Sequence, residues 1–173
     1  MTIFPSTLIR AAACITCMLP LAACSPKLDW RETRGSNAPF VVLLPAKPAS
    51  YTRPVNLDGL QVSMTMTAAE VDKVMYAVGS AELPDESQAP KALAAMKTAL
   101  VHNISGTVRQ EKVSPAGSVP MTVDVEATGT ESRILIARFL AKDKRIYQVV
   151  MLGKEGKVSR EAADTFFNSF KLN

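Results

Sequence analysis

Few side chains in this sequence carry reactive chemistry, and they are unevenly placed. All three cysteines, Cys14, Cys17 and Cys24, fall within the first 24 of 173 residues. Everything after Cys24 is therefore without a disulfide or a thiolate metal site. Cys24 closes the run Leu21-Ala22-Ala23-Cys24 and sets a thiol nucleophile behind two small side chains. His102 is the only histidine. One imidazole cannot build a histidine-rich metal site, and as a general base it needs an orienting carboxylate and a nucleophile in reach. Ser105, Ser114 and Asp124 are the available partners, and a small hydrolase or transferase using His102 is the enzymatic alternative. At a helix C-terminus the preferred role of His102 is to interact with the last carbonyls and the helix dipole. Arg138 shares a strand face with Ile134, Ile136 and Leu140. A buried charge needs a partner, and Asp124, Glu126 or Glu131 could supply it. So could a ligand carboxylate or phosphate, which makes Arg138 the candidate ligand-binding residue.

Other charged positions point to structure. Asp58-Gly59 and Asp85-Glu86 read as a turn and a helix start, without the alternating oxygens of a calcium loop. Lys142, Lys144 and Arg145 cluster on a turn, as solvated charge or as a contact for anionic lipid. Met64, Met66, Met75 and Met96 fall at core periods, which fits packing better than copper. No glycine-rich phosphate loop, nucleophile elbow or zinc-binding helix is present. The expectation is a domain with no catalytic residues, metal or cofactor. The formal charge of +4 is scattered among alternating signs, without the basic face a nucleic-acid binder requires.

The N-terminal region is organised for export. Arg10 is the single charge of residues 1–10, and residues 11–23 form an apolar stretch of 13. That fits a secretory signal and is short of the ~20 residues that span a bilayer. Together with this stretch, Leu21-Ala22-Ala23-Cys24 resembles the lipobox of bacterial lipoproteins. The resemblance implies cleavage between Ala23 and Cys24, a thioether-linked diacylglycerol on the Cys24 sulfur, and an acyl chain such as palmitate on the freed amine. Two or more acyl chains anchor stably, so the membrane is the expected partner through Cys24. Ser25, rather than Asp, implies transport to the outer membrane, facing the periplasm. The chain then divides into a signal peptide (1–23), a lipidated Cys and tether (24–38) and one α+β domain (39–173). Within the tether Trp30 is expected to dock on the domain, and residues 28–31 could add an edge strand.

The elements that must position these residues follow from periodicity. Phe40–Leu44, closed by Pro45, reads as a strand. Tyr51–Leu57 and Leu60–Met66 read as a hairpin turning at Asp58-Gly59, followed by a strand over Val71–Glu82. Leu93, Met96, Ala99 and Leu100 form the stripe of a helix over 88–103, with Ser87 as N-cap. Thr107–Val113 is a polar edge strand, and Met121, Val123, Val125 and Ala127 alternate with polar residues. Ser132–Ala141 and Ile146–Leu152 are apolar on both faces and belong at the sheet centre. A helix from Arg160 to Phe170, capped by Ser159, closes the chain with Ala162, Phe166 and Phe170 in line.

The fold class is thus α+β, an antiparallel sheet of six or seven strands flanked by two helices. The element order resembles the PsbP/Mog1-like class, as does the ending Arg145-Ile146-Tyr147-Gln148-Val149-Val150-Met151, with Glu161-Ala162-Ala163 running into Phe167-Asn168-Ser169-Phe170. Relatives of that class serve as binding or assembly subunits in photosystem II and in nuclear transport. Together with the anchor, the tether and the lack of a catalytic constellation, the resemblance favours a non-enzymatic binding or assembly module, and a monomeric domain with an envelope protein as partner is the expectation.

Overall fold

Every residue of Ile146–Met151 is buried, and alternation sends them to two different cores. Ile146 and Val150 join one, while Tyr147, Val149 and Met151 join the other. A strand covered on both sides must be central. The computed structural model describes residues 27–173 and places this strand, β9 (Arg145–Lys154), in the middle of a seven-stranded antiparallel sheet. The lipobox, with Ala23 and Cys24, lies outside the described residues.

In chain order the elements are β1 (Arg31–Arg34), β2 (Phe40–Leu44), β3 (Ala49–Leu57), β4 (Leu60–Val71), β5 (Val74–Glu82), α1 (Ala89–Asn103), β6 (Thr107–Val113), β7 (Met121–Thr128), β8 (Arg133–Lys142), β9, α2 (Arg160–Ser169) and β10 (Lys171–Leu172). The main sheet runs β3-β4-β5-β9-β8-β7-β6, and a small sheet runs β1-β2-β10. On one face α1 packs Ala89, Ala92, Leu93 and Met96 over Leu135, Ala137 and Phe139 of β8. On the other, β2 and α2 bring Phe40, Val42, Leu44, Phe166 and Phe167 onto Tyr76, Tyr147 and Met151. The α+β class is as expected, with β6 at the edge and β8–β9 inside.

Local chemistry corrects several boundaries. The strand read over Val71–Glu82 is broken at Asp72-Lys73, where both residues adopt positive φ (52° and 65°) and turn β4 into β5. Ser87 does not cap the first helix. The Asp85 carboxylate accepts from the Ser87 amide at 2.7 Å and starts a 3-10 turn leading into Ala89. Ala99 is exposed, and Ala92 takes its place in the buried stripe. Ser159 caps α2, its hydroxyl accepting from Ala162 N at 3.3 Å. That helix stops at Ser169, because its hydroxyl donates to the Phe166 carbonyl (2.7 Å) and accepts from Leu43 N (2.9 Å). Phe170 is therefore extended and leads into β10.

The segment read as a tether is, from Leu28 onward, part of the fold. Asp29 N donates to Pro45 O at 2.9 Å, and Trp30 meets Tyr76 edge-on with centroids 6.0 Å apart. The short strand falls at Arg31–Arg34, where Arg31 pairs with Leu44. Alternating Arg, Glu, Thr and Arg suit a strand exposed on its outer side.

Candidate functional site

The face of the sheet that carries α2 is only partly covered. β2 and α2 lie over β5, β9 and part of β8, and the residues of β7 and β6 beyond them are polar. Arg138 stands on that border, between Ile136 and Leu140 on β8. Register sets Asp124 of β7 directly opposite it. The guanidinium forks onto that carboxylate, Nε to Oδ1 at 2.6 Å and Nη2 to Oδ2 at 3.3 Å. Nη1 makes a long 3.4 Å bond to the Phe167 carbonyl, and the guanidinium carbon lies 5.8 Å from the Phe167 ring centroid, within cation–π range. Of the three carboxylates open to Arg138 from the sequence, Asp124 is the one that it holds. Glu131 pairs instead with Arg133 at 3.6 Å.

A second fork runs alongside. Arg160, in the first turn of α2, reaches Glu126 of β7 at 2.5 Å and 3.0 Å. Its hydrogen bond holds the Glu126 carboxyl below the ordinary carboxylate range, against the opposing effect of burial. The same contact raises the Arg160 guanidinium. Between the forks and the helix lies a cleft of about 230 Å³, lined also by Gln110, Lys112 and Asp164. Lys112 sits across from Asp124 in the β6–β7 register. No carboxylate lies within ion-pair distance of Lys112 among the described residues.

This arrangement can bind. A guanidinium carries five N–H donors, and each fork fixes two of them on a carboxylate. Donors left over on Arg138 and Arg160, with the Lys112 ammonium, can meet a carboxylate or phosphate oxygen. Three cations and three carboxylates line the cleft, so its charge balances. It suits a polar or zwitterionic partner better than a polyanion.

His102 is elsewhere. It is exposed in the last turn of α1, on the opposite face of the sheet from the cleft, and its carbonyl accepts from Ser105 N at 2.8 Å. The nearby depressions on that face include Asp58 and Lys91 on one side and Ser105 on the other. Its imidazole makes no side-chain hydrogen bond among the described residues. The other two groups considered with it are occupied. Ser114 Oγ accepts from Thr122 N (2.9 Å), and Asp124 holds Arg138. Arg145 is likewise taken, by Glu82 at 3.1 Å and the Asn37 carbonyl at 2.9 Å.

Arg160, Lys112 and Phe167 are site residues that sequence reasoning missed. The available signal was the alternation of Asp124 and Glu126, which places two carboxylates on one face of β7.

No family model matches the chain, and no curated protein matches it. Among solved structures it is similar to the solution structure of cyanobacterial PsbP (CyanoP) from Synechocystis sp. PCC 6803. That likeness has a TM-score of 0.58 at 11% sequence identity, over 89% of this chain and 99% of the other. At that identity the likeness speaks for architecture alone: the chain has a PsbP-like α+β fold.

Proposed function

We propose that this protein is a bacterial envelope lipoprotein, anchored through Cys24 in the outer membrane and facing the periplasm. Its folded domain is a non-enzymatic binding or assembly module that receives an envelope partner or ligand in the cleft between α2 and β6–β8. The observation that carries this reading is the pair of Arg–carboxylate forks side by side on one open face, Arg138–Asp124 and Arg160–Glu126. Such forks hold planar donors in fixed positions, a geometry suited to recognising a carboxylate or phosphate group. The anchor rests on Leu21-Ala22-Ala23-Cys24 behind its apolar stretch.

Photo-crosslinking in intact cells tests the cleft. A photoreactive residue in place of Lys112 or Asp164 is expected to give a discrete adduct that disappears with Arg138→Met. A probe at Thr98, on the opposite face, should not give that adduct. Identical adduct patterns from all three positions would remove the cleft from the account.

A further inference from the structure

We propose that the end of the main sheet bearing Lys73, Arg133, Lys154 and Lys157 is the membrane-facing surface of this protein, held against anionic lipid headgroups. The inference rests on the Cys24 anchor proposed above and adds which way the domain points.

Chain length supplies the first argument. Leu28 already packs, partly buried, against the core cluster that includes α2, so Cys24 lies only four residue steps from the fixed body of the domain. Four residues reach at most about 14 Å. A domain on so short a leash presents to the bilayer the end at which its chain enters.

Register identifies that end. Arg31 pairs with Leu44, and Asp29 bonds to Pro45, so the chain enters where β2 finishes. Lys27 reaches Asp72 at 3.7 Å, placing the β4–β5 turn at the same end. Met75 pairs with Leu152, and Arg133 with Lys154, so the β9–α2 loop lies beside that turn. Lys73, Arg133, Lys154 and Lys157 line one shallow depression here, with Glu70 and Glu131 as its carboxylates. Among the described residues, Lys73, Lys154 and Lys157 have no ion-pair partner.

The basic hairpin Lys142–Arg145, the lipid contact considered from sequence, lies at the other end. β9 runs from Arg145 to Lys154, and its ten residues at ~3.3 Å each put about 30 Å between the two clusters. The attraction of an anionic surface decays over a Debye length of about 8 Å at physiological salt. Only the Lys73–Lys157 cluster can use it, and each such cation favours the surface by about five-fold.

The test uses the full chain, exported and processed in a bacterial host, then reconstituted into phosphatidylcholine vesicles with and without phosphatidylglycerol. Because the mature domain has no cysteine beyond Cys24, one introduced thiol can carry a fluorophore. Gly156→Cys labels the anchor end, where an added side chain meets nothing within 4 Å, and Lys144→Cys labels the far end. Quenching by a headgroup-attached quencher is expected to be several-fold stronger at 156 than at 144 on anionic vesicles, because about 30 Å separates the two ends of β9. The difference should shrink on neutral vesicles and when Lys73, Lys154 and Lys157 are replaced by Gln. Acylated protein with equal quenching at both positions, or with a ratio indifferent to lipid charge, overturns the orientation alone. Protein whose mass shows no acyl group on Cys24 overturns the anchor, and the orientation with it.

Discussion

Phe166→Ala should come close to unfolding the domain. The Phe166 side chain is fully buried and stands edge-on to Tyr76 (centroids 5.5 Å apart, planes at 90°) and against Phe167 at 5.1 Å. Tyr76 in turn carries Trp30, so one ring links α2, β5 and the entering chain. Truncating a buried phenylalanine costs about 3–5 kcal/mol through lost transfer energy and the cavity left behind. A domain of this size has roughly 5–15 kcal/mol in total, and no disulfide offsets the loss. Phe170→Ala is the internal comparison. That ring is half-buried beyond the helix and touches Phe40 and Tyr147 at 5.7 and 6.0 Å, so about 1–2 kcal/mol is expected. Urea unfolding followed by Trp30 fluorescence reads both, because the only tryptophan sits in this cluster. The midpoint for Phe166→Ala should fall far below that for Phe170→Ala, with m-values unchanged. A Phe166→Ala protein within about 0.5 kcal/mol of wild type, the size of a surface change, would refute the placing of α2 in the core.

Three further outcomes are expected. Glu126 has a folded pKa below its ordinary value of 4.5, so its contribution is present above that pH and lost as pH falls through the folded pKa. Arg160→Met should flatten the acid limb of stability while costing at most ~1 kcal/mol at neutral pH, given how exposed Arg160 is; stability measured from pH 7 down to pH 3 decides it. A double-mutant cycle of Asp124→Ala and Arg138→Ala should give a coupling of about 1–2 kcal/mol, whereas pairing either with Glu131→Ala should give none. Gly129→Ala should destabilise by more than about 2 kcal/mol, because its Cβ would lie 2.2 Å from the Ile104 carbonyl oxygen. Gly156→Ala, in open space, should stay within about 0.5 kcal/mol, and thermal unfolding of the two variants beside wild type checks both.

The parts of the fold legible in the sequence are those governed by a single period. Met121, Val123, Val125 and Ala127 alternate with Thr122, Asp124 and Glu126, which assigns β7 one apolar face. The apolar run of β9, interrupted between Ile146 and Leu152 only by Gln148, announces its two covers. Three features escaped because they depend on neighbours distant in the chain or on a turn that lacks the usual glycine. An edge strand is expected over 28–31 from the sequence, but its place at 31–34, where there is no apolar alternation, is set by the edge that β2 offers. Asp72-Lys73 turns without glycine. Phe170 fits the helical stripe but is drawn out of it by Ser169 and the pairing of β10 with β2. The cleft was half legible: Arg138 on an apolar strand face called for a carboxylate, and Asp124 was among those at hand. Arg160 is 34 residues from Glu126, and only the path of α2 across the sheet brings them together.

The central claim is that the chain works as a membrane-tethered module, and labelling of Cys24 tests it most directly. Wild type and Cys24→Ala would be produced in a lipoprotein-processing bacterium with radiolabelled palmitate, and the envelope then fractionated. Wild type is expected to incorporate label and sediment with outer membranes. Cys24→Ala should be unlabelled and absent from them. Equal incorporation by the two, or no label in either, would contradict the anchor.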